Sequence, residues 1–180
     1  MQYPKLSHTL AAVGAISIAI GACSDSNGPG KPNVDLVSCP PSTTGGDNLT
    51  RAFYIDSFPG SSLKSVTSYF SAVGTGDRTV ALTARDGAFD GVVIGSDTVI
   101  ISAVDGDTNI AATFDLGGNA VTLGSTVTFA YDAIADTSGV LFMETTTTNA
   151  SCPVVQTEGA APPLDTVRRL GLPILIRGKE

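Results

Sequence analysis

Few side chains in this sequence can carry out covalent or acid–base chemistry. The 180-residue chain contains three cysteines (Cys23, Cys39 and Cys152), a single histidine (His8) and 17 acidic residues. A cysteine thiol can be acylated, can form a disulfide or can act as a nucleophile, and two carboxyl groups can work together as acid and base. The surroundings of each group therefore indicate which chemistry it performs.

Cys23 follows an apolar segment near the N-terminus. Lys5 is the only lysine or arginine before it, and the 11-residue run Leu10–Ile20 is interrupted only by Gly14 and Ser17. A run of this length suits the hydrophobic region of a signal peptide, because a helix that spans a bilayer needs about 20 residues. The pattern predicts a secretory signal over residues 1–22.

The four residues that end this segment, Ile20-Gly21-Ala22-Cys23, resemble the lipobox of bacterial lipoproteins. The resemblance implies that the Cys23 thiol receives a diacylglycerol, that the chain is cut before it, and that the new amino end is acylated. The protein would then be held on a membrane by a lipid anchor, and Ser24 implies the outer membrane of the cell envelope. The alternative is an ordinary signal peptide cut near Ala22, which leaves Cys23 as a free thiol.

Cys39 and Cys152 form an even pair once Cys23 is set aside. In an oxidising compartment such a pair predicts a disulfide. The chain-entropy model gives about 4–5 kcal/mol for a bridge that closes so long a loop. Two thiols that never meet are the alternative.

The remaining residues select no catalytic machinery. His8 leaves with the signal, so the mature chain has no histidine for a catalytic triad or a metal site. No phosphate-binding or nucleophile-elbow motif occurs. A pair of carboxylates, as glycosidases use, remains conceivable, but nothing in the sequence selects two of the 17 acids. We therefore expect a protein that is not an enzyme.

Asp105, Asp107 and Asn109 resemble the start of an EF-hand loop because they place oxygen ligands at alternate positions. The resemblance fails at Ile110, where that loop needs glycine, and at Leu116, where it needs glutamate. Two interpretations follow. The three residues hold Ca²⁺ in another type of site, or they form a hairpin turn whose side chains cap their own backbone.

Aromatic platforms are common in sugar-binding sites, and the chain has no tryptophan. Tyr131 alternates with Val127 and Phe129, which predicts a core position. Tyr69 lies on the opposite side of its strand from Val66 and Phe70. It is the candidate ligand-binding aromatic, with an ordinary surface tyrosine as the alternative.

Charge excludes one class of partner. Removal of residues 1–22 leaves 9 basic and 17 acidic residues, so the net charge becomes −8. An acidic surface without a basic stripe argues against nucleic acid. It also means that attachment to a membrane depends on the lipid anchor rather than on charge.

Alternating apolar and polar residues, divided by Gly/Asp turns, predict nine to eleven short strands and no long helix. This pattern is typical of an all-β antiparallel β-sandwich, jelly-roll-like, with an immunoglobulin-like sandwich as the alternative. The predicted domains are a signal peptide over 1–22, a flexible tether over 23–38 and the sandwich over 39–180. Besides Val34–Cys39, a candidate first strand at the end of the tether, the strands are expected at Arg51–Phe58, Val66–Val73, Thr79–Arg85, Val92–Ile94, Asp97–Val104, Ile110–Leu116, Val121–Leu123, Thr126–Asp132, Val140–Thr147, Cys152–Thr157 and Leu170–Arg177.

Three stretches, Thr79–Gly95, Ala112–Gly118 and Gly124–Phe129, resemble secreted bacterial jelly-roll modules related to carbohydrate-binding domains. The resemblance implies a binding module. We therefore expect a non-catalytic, membrane-anchored envelope lipoprotein that displays a binding or adhesion domain, with glycan as the candidate ligand. The alternatives are a structural subunit that binds another envelope protein and a glycan hydrolase that uses two carboxylates.

Overall fold

The described part of the chain is built from β-strands. A computed structural model describes residues 32–41, 46–47, 50–133, 140–144, 154–158, 167–168 and 172–180. Its strands are β1 Val34–Cys39, β2 Gly46–Asp47, β3 Thr50–Ile55, β4 Ser62–Val73, β5 Gly76–Asp86, β6 Val92–Ala103, β7 Ile110–Ala120, β8 Val127–Ala133, β9 Val140–Glu144, β10 Val154–Glu158, β11 Val167–Arg168 and β12 Ile174–Lys179.

These strands form two six-stranded antiparallel sheets. The first sheet has the order β1-β12-β4-β9-β2, and β7 also pairs with β4 in it. The second sheet has the order β11-β10-β3-β8-β5-β6. The predicted all-β antiparallel sandwich is thus confirmed. Within the described residues, no helix is long and apolar enough to cross a bilayer.

The core lies between the sheets because alternate residues of each strand turn inward. In β4, Val66 and Phe70 are almost fully buried, whereas the intervening Thr67 and Tyr69 are only half-buried. The same alternation operates in β7, where Ala112, Phe114 and Leu116 are buried. The hydrophobic faces of the two sheets are therefore specified strand by strand.

Five aromatic rings connect the sheets at the centre of this core. Phe53 of β3 stacks on Phe129 of β8, with ring centroids 4.7 Å apart. Tyr131 of β8 makes edge-to-face contacts with Phe70 and Phe114 of the first sheet, with ring centroids 6.3 and 5.8 Å apart. Stacked and edge-to-face pairs are both favourable aromatic geometries. The predicted core position of Tyr131 is confirmed.

Strands β6 and β7 close one side of the sandwich, although they belong to different sheets. A Cβ added at Gly95 of β6 would lie 3.0 Å from the Cβ and the carbonyl oxygen of Leu116 in β7. Asp97 of β6 accepts a hydrogen bond from the Asp115 amide at 2.8 Å. The Asn119 side chain donates to the Ile94 carbonyl at 2.6 Å. The two strands are not paired by backbone hydrogen bonds. Instead, the side chains of Asp97 and Asn119 bond to backbone groups of the facing strand.

The structure differs from the predicted strands at several places. Val92–Ala103 is one strand rather than two, because Gly95 and Ser96 continue the pairing with β5. Strand β7 extends to Ala120, and the predicted strand Val121–Leu123 is absent from the described structure. The predicted strand Val34–Cys39 is confirmed as β1, and its pairing with β12 from Val34 onward places residues 34–38 in the sandwich rather than in the tether.

A buried hydroxyl pair crosses the core beside the aromatic rings. The hydroxyl of Tyr131 is hydrogen-bonded to that of Ser68, and both residues are almost fully buried. Burial raises the pKa of Tyr131 well above its ordinary value of 10.0, and the hydrogen bond with Ser68 opposes part of the rise. Because the pKa is raised, the folded state favours the neutral phenol. Its contribution to stability is present below pH 10 and is lost as pH rises further.

We expect Tyr131→Phe to destabilise the protein by about 1–3 kcal/mol at pH 7, because it leaves the buried Ser68 hydroxyl without this partner. It should also reduce the loss of stability above about pH 10, since the buried phenol whose pKa is raised in the folded state is no longer present. Urea unfolding between neutral and alkaline pH measures both effects. Tyr69→Phe is the matched control and should change neither. Equal behaviour of the two variants would contradict the role of the buried pair.

Candidate binding pocket

One shallow pocket lies at the end of the second sheet. It has a volume of about 400 Å³, which falls within the range of small-ligand sites. We call it the Tyr54 pocket; its described lining residues are Tyr54, Asp56, Gly87, Ala88, Thr126 and Thr128. They come from β3, from β8 and from the segments that adjoin β3, β5 and β8.

Strand alternation places Tyr54 in this pocket. Phe53 and Ile55 flank it in β3, and both are buried in the core. Tyr54 must therefore face outward, where it is half-buried beside its register partner Thr128 of β8. The strand then ends at a turn in which Ser57 has a positive φ of 54°. This turn leaves Asp56 exposed at the rim.

Hydrogen bonds fix the other walls of the pocket. The Thr126 hydroxyl donates to Asp56 Oδ1 at 3.1 Å. The Thr128 hydroxyl donates to the Gly87 carbonyl at 2.6 Å, and the Gly87 amide donates to the Thr126 carbonyl at 2.7 Å. Gly87 has a φ of 93°, a conformation that side-chain-bearing residues rarely adopt. The segment after β5 is therefore tied to β8 on both sides of Gly87.

This combination of groups suits a neutral ligand with several hydroxyls. Tyr54 supplies a ring face with a polar tip, and Asp56 supplies a carboxylate that accepts hydrogen bonds. Thr126 adds a hydroxyl on the same wall. Among the described lining residues, Asp56 is the only charged one, and none is basic. A carboxylate without a neighbouring cation disfavours anionic ligands.

The three predicted metal ligands lie at the far end of the molecule, in the turn between β6 and β7. Asp105 Oδ1 accepts from the Gly74 amide at 2.7 Å, and Asp107 Oδ2 accepts from the Val104 amide at 2.8 Å. Asn109 has a φ of 56°. Asp107 thus caps its own turn, as the alternative interpretation of this sequence predicts, whereas Asp105 caps the neighbouring turn between β4 and β5.

The Ca²⁺ site at Asp105, Asp107 and Asn109 stays a prediction. Across the described ranges, no three histidine, cysteine or acidic side chains are grouped closely enough to hold a metal ion. The other predicted ligand-binding residue, Tyr69, lies on the outer face of the first sheet. It pairs with Ala111 and lines a different surface from Tyr54.

Of the three cysteines, only Cys39 lies within the described residues. Cys39 ends β1, is 2% exposed and is disulfide-bonded. Cys152 lies outside the described residues, so its identity as the partner stays a prediction. Cys23 and its signal segment also lie outside the described residues.

Comparison with known proteins yields no family. The chain matches no protein-family model and no curated protein. The interpretation of the pocket therefore depends on its own chemistry.

Sequence reasoning missed the Tyr54 pocket. The predicted strand Arg51–Phe58 overlaps β3, which ends earlier at Ile55, and the alternation around Tyr54 is readable from the sequence. No local signal connects this strand to Gly87 or Thr126, because they are brought together only by the order β3-β8-β5.

We expect Thr128→Val to loosen the wall of the pocket and to lower stability by about 1–3 kcal/mol, because the Gly87 carbonyl loses its hydroxyl donor. Hydrogen exchange should accelerate at the Gly87 amide, and urea unfolding should give the stability change. Thr83→Val on the outer face of the neighbouring strand is the control and should have little effect. Unchanged exchange at Gly87 would show that the hydroxyl does not hold this segment.

Proposed function

We propose that this protein is a non-catalytic envelope lipoprotein, anchored to a membrane through Cys23, whose β-sandwich binds glycan in the Tyr54 pocket. The observation that carries the proposal is the convergence of Tyr54, Asp56 and Thr126 on one wall of a single depression. A sugar ring can pack against the tyrosine ring, while its hydroxyls donate to the carboxylate and exchange hydrogen bonds with the threonine.

Two features support a binding role over hydrolysis. Glycosidases position two carboxyl groups about 5–10 Å apart on either side of the scissile bond. In the Tyr54 pocket, the described lining residues include one carboxylate, that of Asp56. The mature sequence that the lipobox implies also lacks histidine. A bound sugar would therefore be held without an evident acid–base pair.

The export and anchoring parts of the proposal depend on the N-terminal sequence. The apolar run, the small pair Gly21-Ala22 and Cys23 support acylation, and Ser24 supports sorting to the outer membrane. Several acyl chains, at about 0.8 kcal/mol per buried methylene, hold a protein on a membrane where one chain does not.

A second candidate function is the binding of another envelope protein. Strand β6 is at the edge of the second sheet and exposes three large apolar side chains. Val92 is 76% exposed, Ile100 69% and Val93 49%. Exposed apolar side chains on an edge strand favour contact with a second polypeptide.

We expect Tyr54→Ala to weaken glycan binding by about tenfold or more, which corresponds to about 1.4 kcal/mol of lost ring contact. The measurement is an array of neutral oligosaccharides followed by calorimetric titration of the best ligand, with and without Ca²⁺. Tyr69→Ala removes a tyrosine from the other sheet and is the matched control; it should retain full affinity.

Different results would redirect the proposal. If no glycan binds under either condition while an envelope protein co-purifies, the second candidate is favoured. Binding that is lost in Tyr69→Ala and kept in Tyr54→Ala would move the site to the first sheet. A dependence on Ca²⁺ that disappears in Asp107→Ala would support the predicted metal site.

We expect Cys23→Ser to release the protein from membranes, since it removes the thiol that would carry the diacylglycerol. Fractionation of cells into membrane and soluble parts, followed by mass spectrometry of the N-terminal peptide, measures this. The conservative change Ser24→Ala keeps the thiol and should remain membrane-bound. A Cys23→Ser protein that stays in the membrane fraction would argue against the lipid anchor.

A further inference from the structure

We propose that the Tyr54 pocket lies at the membrane-facing end of the anchored protein and binds the neutral sugar headgroup of a lipid in that same membrane. This inference rests on the proposed function, both for the anchor at Cys23 and for the sugar ligand. It adds that the sugar is the headgroup of a lipid and that the protein meets it at the surface of its own membrane.

The register of the first sheet defines the end at which the chain enters the sandwich. Val34, the first residue of β1, pairs with Gly178 of β12. Gly178 in turn pairs with Leu63 near the start of β4, and Leu63 pairs with Asn119 near the end of β7. These four residues form one row across the sheet. We call this side of the molecule the Val34 end.

A continuous set of contacts leads from the Val34 end to the pocket. A Cβ at Gly60 would lie 2.9 Å from the Lys179 carbonyl, so the segment before β4 lies directly against β12. In that segment, the Phe58 amide donates to the Ser125 carbonyl at 2.8 Å, and the Gly124 amide donates back to Phe58 at 2.9 Å. The next residue, Thr126, lines the pocket.

The strand ends of the second sheet also place the pocket at the Val34 end. Asp56 follows the last residue of β3, and the chain reaches β4 at Ser62 after a short connection. Gly87 follows the last residue of β5, whose Asp86 pairs with Val127 at the beginning of β8. The pocket is therefore formed where β3 and β5 end and β8 begins, which is the same end of the sandwich.

The opposite end carries the turn between β6 and β7. The Ala72 amide donates to the Asp107 carbonyl at 2.8 Å, and the Gly106 amide donates to the Ala72 carbonyl at 3.0 Å. Ala72 is near the end of β4, a strand of 12 residues. Leu63 and Ala72 are nine residues apart in this strand, so at about 3.3 Å per residue the turn and the Val34 end are about 30 Å apart.

The length of the tether decides which end faces the membrane. Ten residues, at positions 24–33, separate Cys23 from β1. Their composition, rich in glycine, serine, proline and asparagine, predicts a flexible tether, for which this length gives a root-mean-square reach of about 17 Å. That reach is shorter than the roughly 30 Å that separate the two ends of the sandwich. The Val34 end, and the pocket with it, is therefore held close to the bilayer surface.

Two surface features suit this position. Leu123, in the segment that packs on Phe58, is 66% exposed and can contact the headgroup layer. Asp56 gives the described wall of the pocket a negative charge with no basic neighbour in that wall. A phosphate-bearing headgroup would be repelled, whereas a neutral hexosyl headgroup can donate its hydroxyls to the carboxylate.

The test measures the orientation of the full chain on vesicles. One vesicle preparation is phosphatidylcholine alone, and the other adds monoglucosyl- and monogalactosyl-diacylglycerol. A fluorescent amino acid is placed at Leu123, outside the pocket lining, or at Thr108 in the far turn. Energy transfer to a headgroup-labelled lipid should rise at position 123 when the glycolipids are added, and it should not rise at position 108. Tyr54→Ala should abolish the rise.

The outcomes separate this inference from the proposed function. If free methyl glucoside or galactoside binds in a Tyr54-dependent manner while transfer at position 123 does not rise, presentation by the membrane is wrong and the glycan pocket stands. Greater transfer from position 108 than from position 123 also overturns the inference. Absence of binding to both the free sugars and the glycolipids overturns the inference together with the proposed sugar ligand.

Discussion

The aromatic contact between the two sheets sets the orientation of every outward residue on which the pocket depends. Phe53 and Phe129 stack inside the second sheet, and Tyr131 joins them to Phe70 and Phe114 of the first. A shift of one residue in β3 or β8 would expose these rings and bury polar side chains. Because that exchange costs free energy, the observed register is favoured. This register places Tyr54 and Thr128 on the outer face of the sheet.

The two sides of the sandwich are stabilised by different interactions. On one side, β6 and β7 approach so closely at Gly95 that side chains of Asp97 and Asn119 take the place of ladder hydrogen bonds. Toward the other side, β1 carries the disulfide-bonded Cys39. The pocket lies at neither edge; it lies at the end where three strands of the second sheet meet. That location leaves it open to a ligand while its walls remain bonded to the fold.

Much of the fold was predictable, because strand alternation is a local property with a period of two residues. The strand of Thr79–Arg85 and the core position of Tyr131 followed from it directly. The predicted boundaries failed where glycine was taken as a stop. Gly95 lies within β6 because β7 approaches too closely for a side chain, and Gly117 and Gly118 lie within β7 at positive φ. Glycine in a strand can mark a close approach as well as an end.

The amino-acid sequence by itself determined the sandwich class, the inward face of strands such as β4 and β5, and the chemistry expected of Cys23. It did not determine the pocket at Tyr54, and the ligand-binding role that it predicts for Tyr69 stays a prediction. Asp56, Gly87 and Thr126 are far apart in the chain, and each one alone resembles ordinary turn material. Only long-range pairing in the order β3-β8-β5 brings them together, because which strands become neighbours depends on how all the apolar faces can be buried at once.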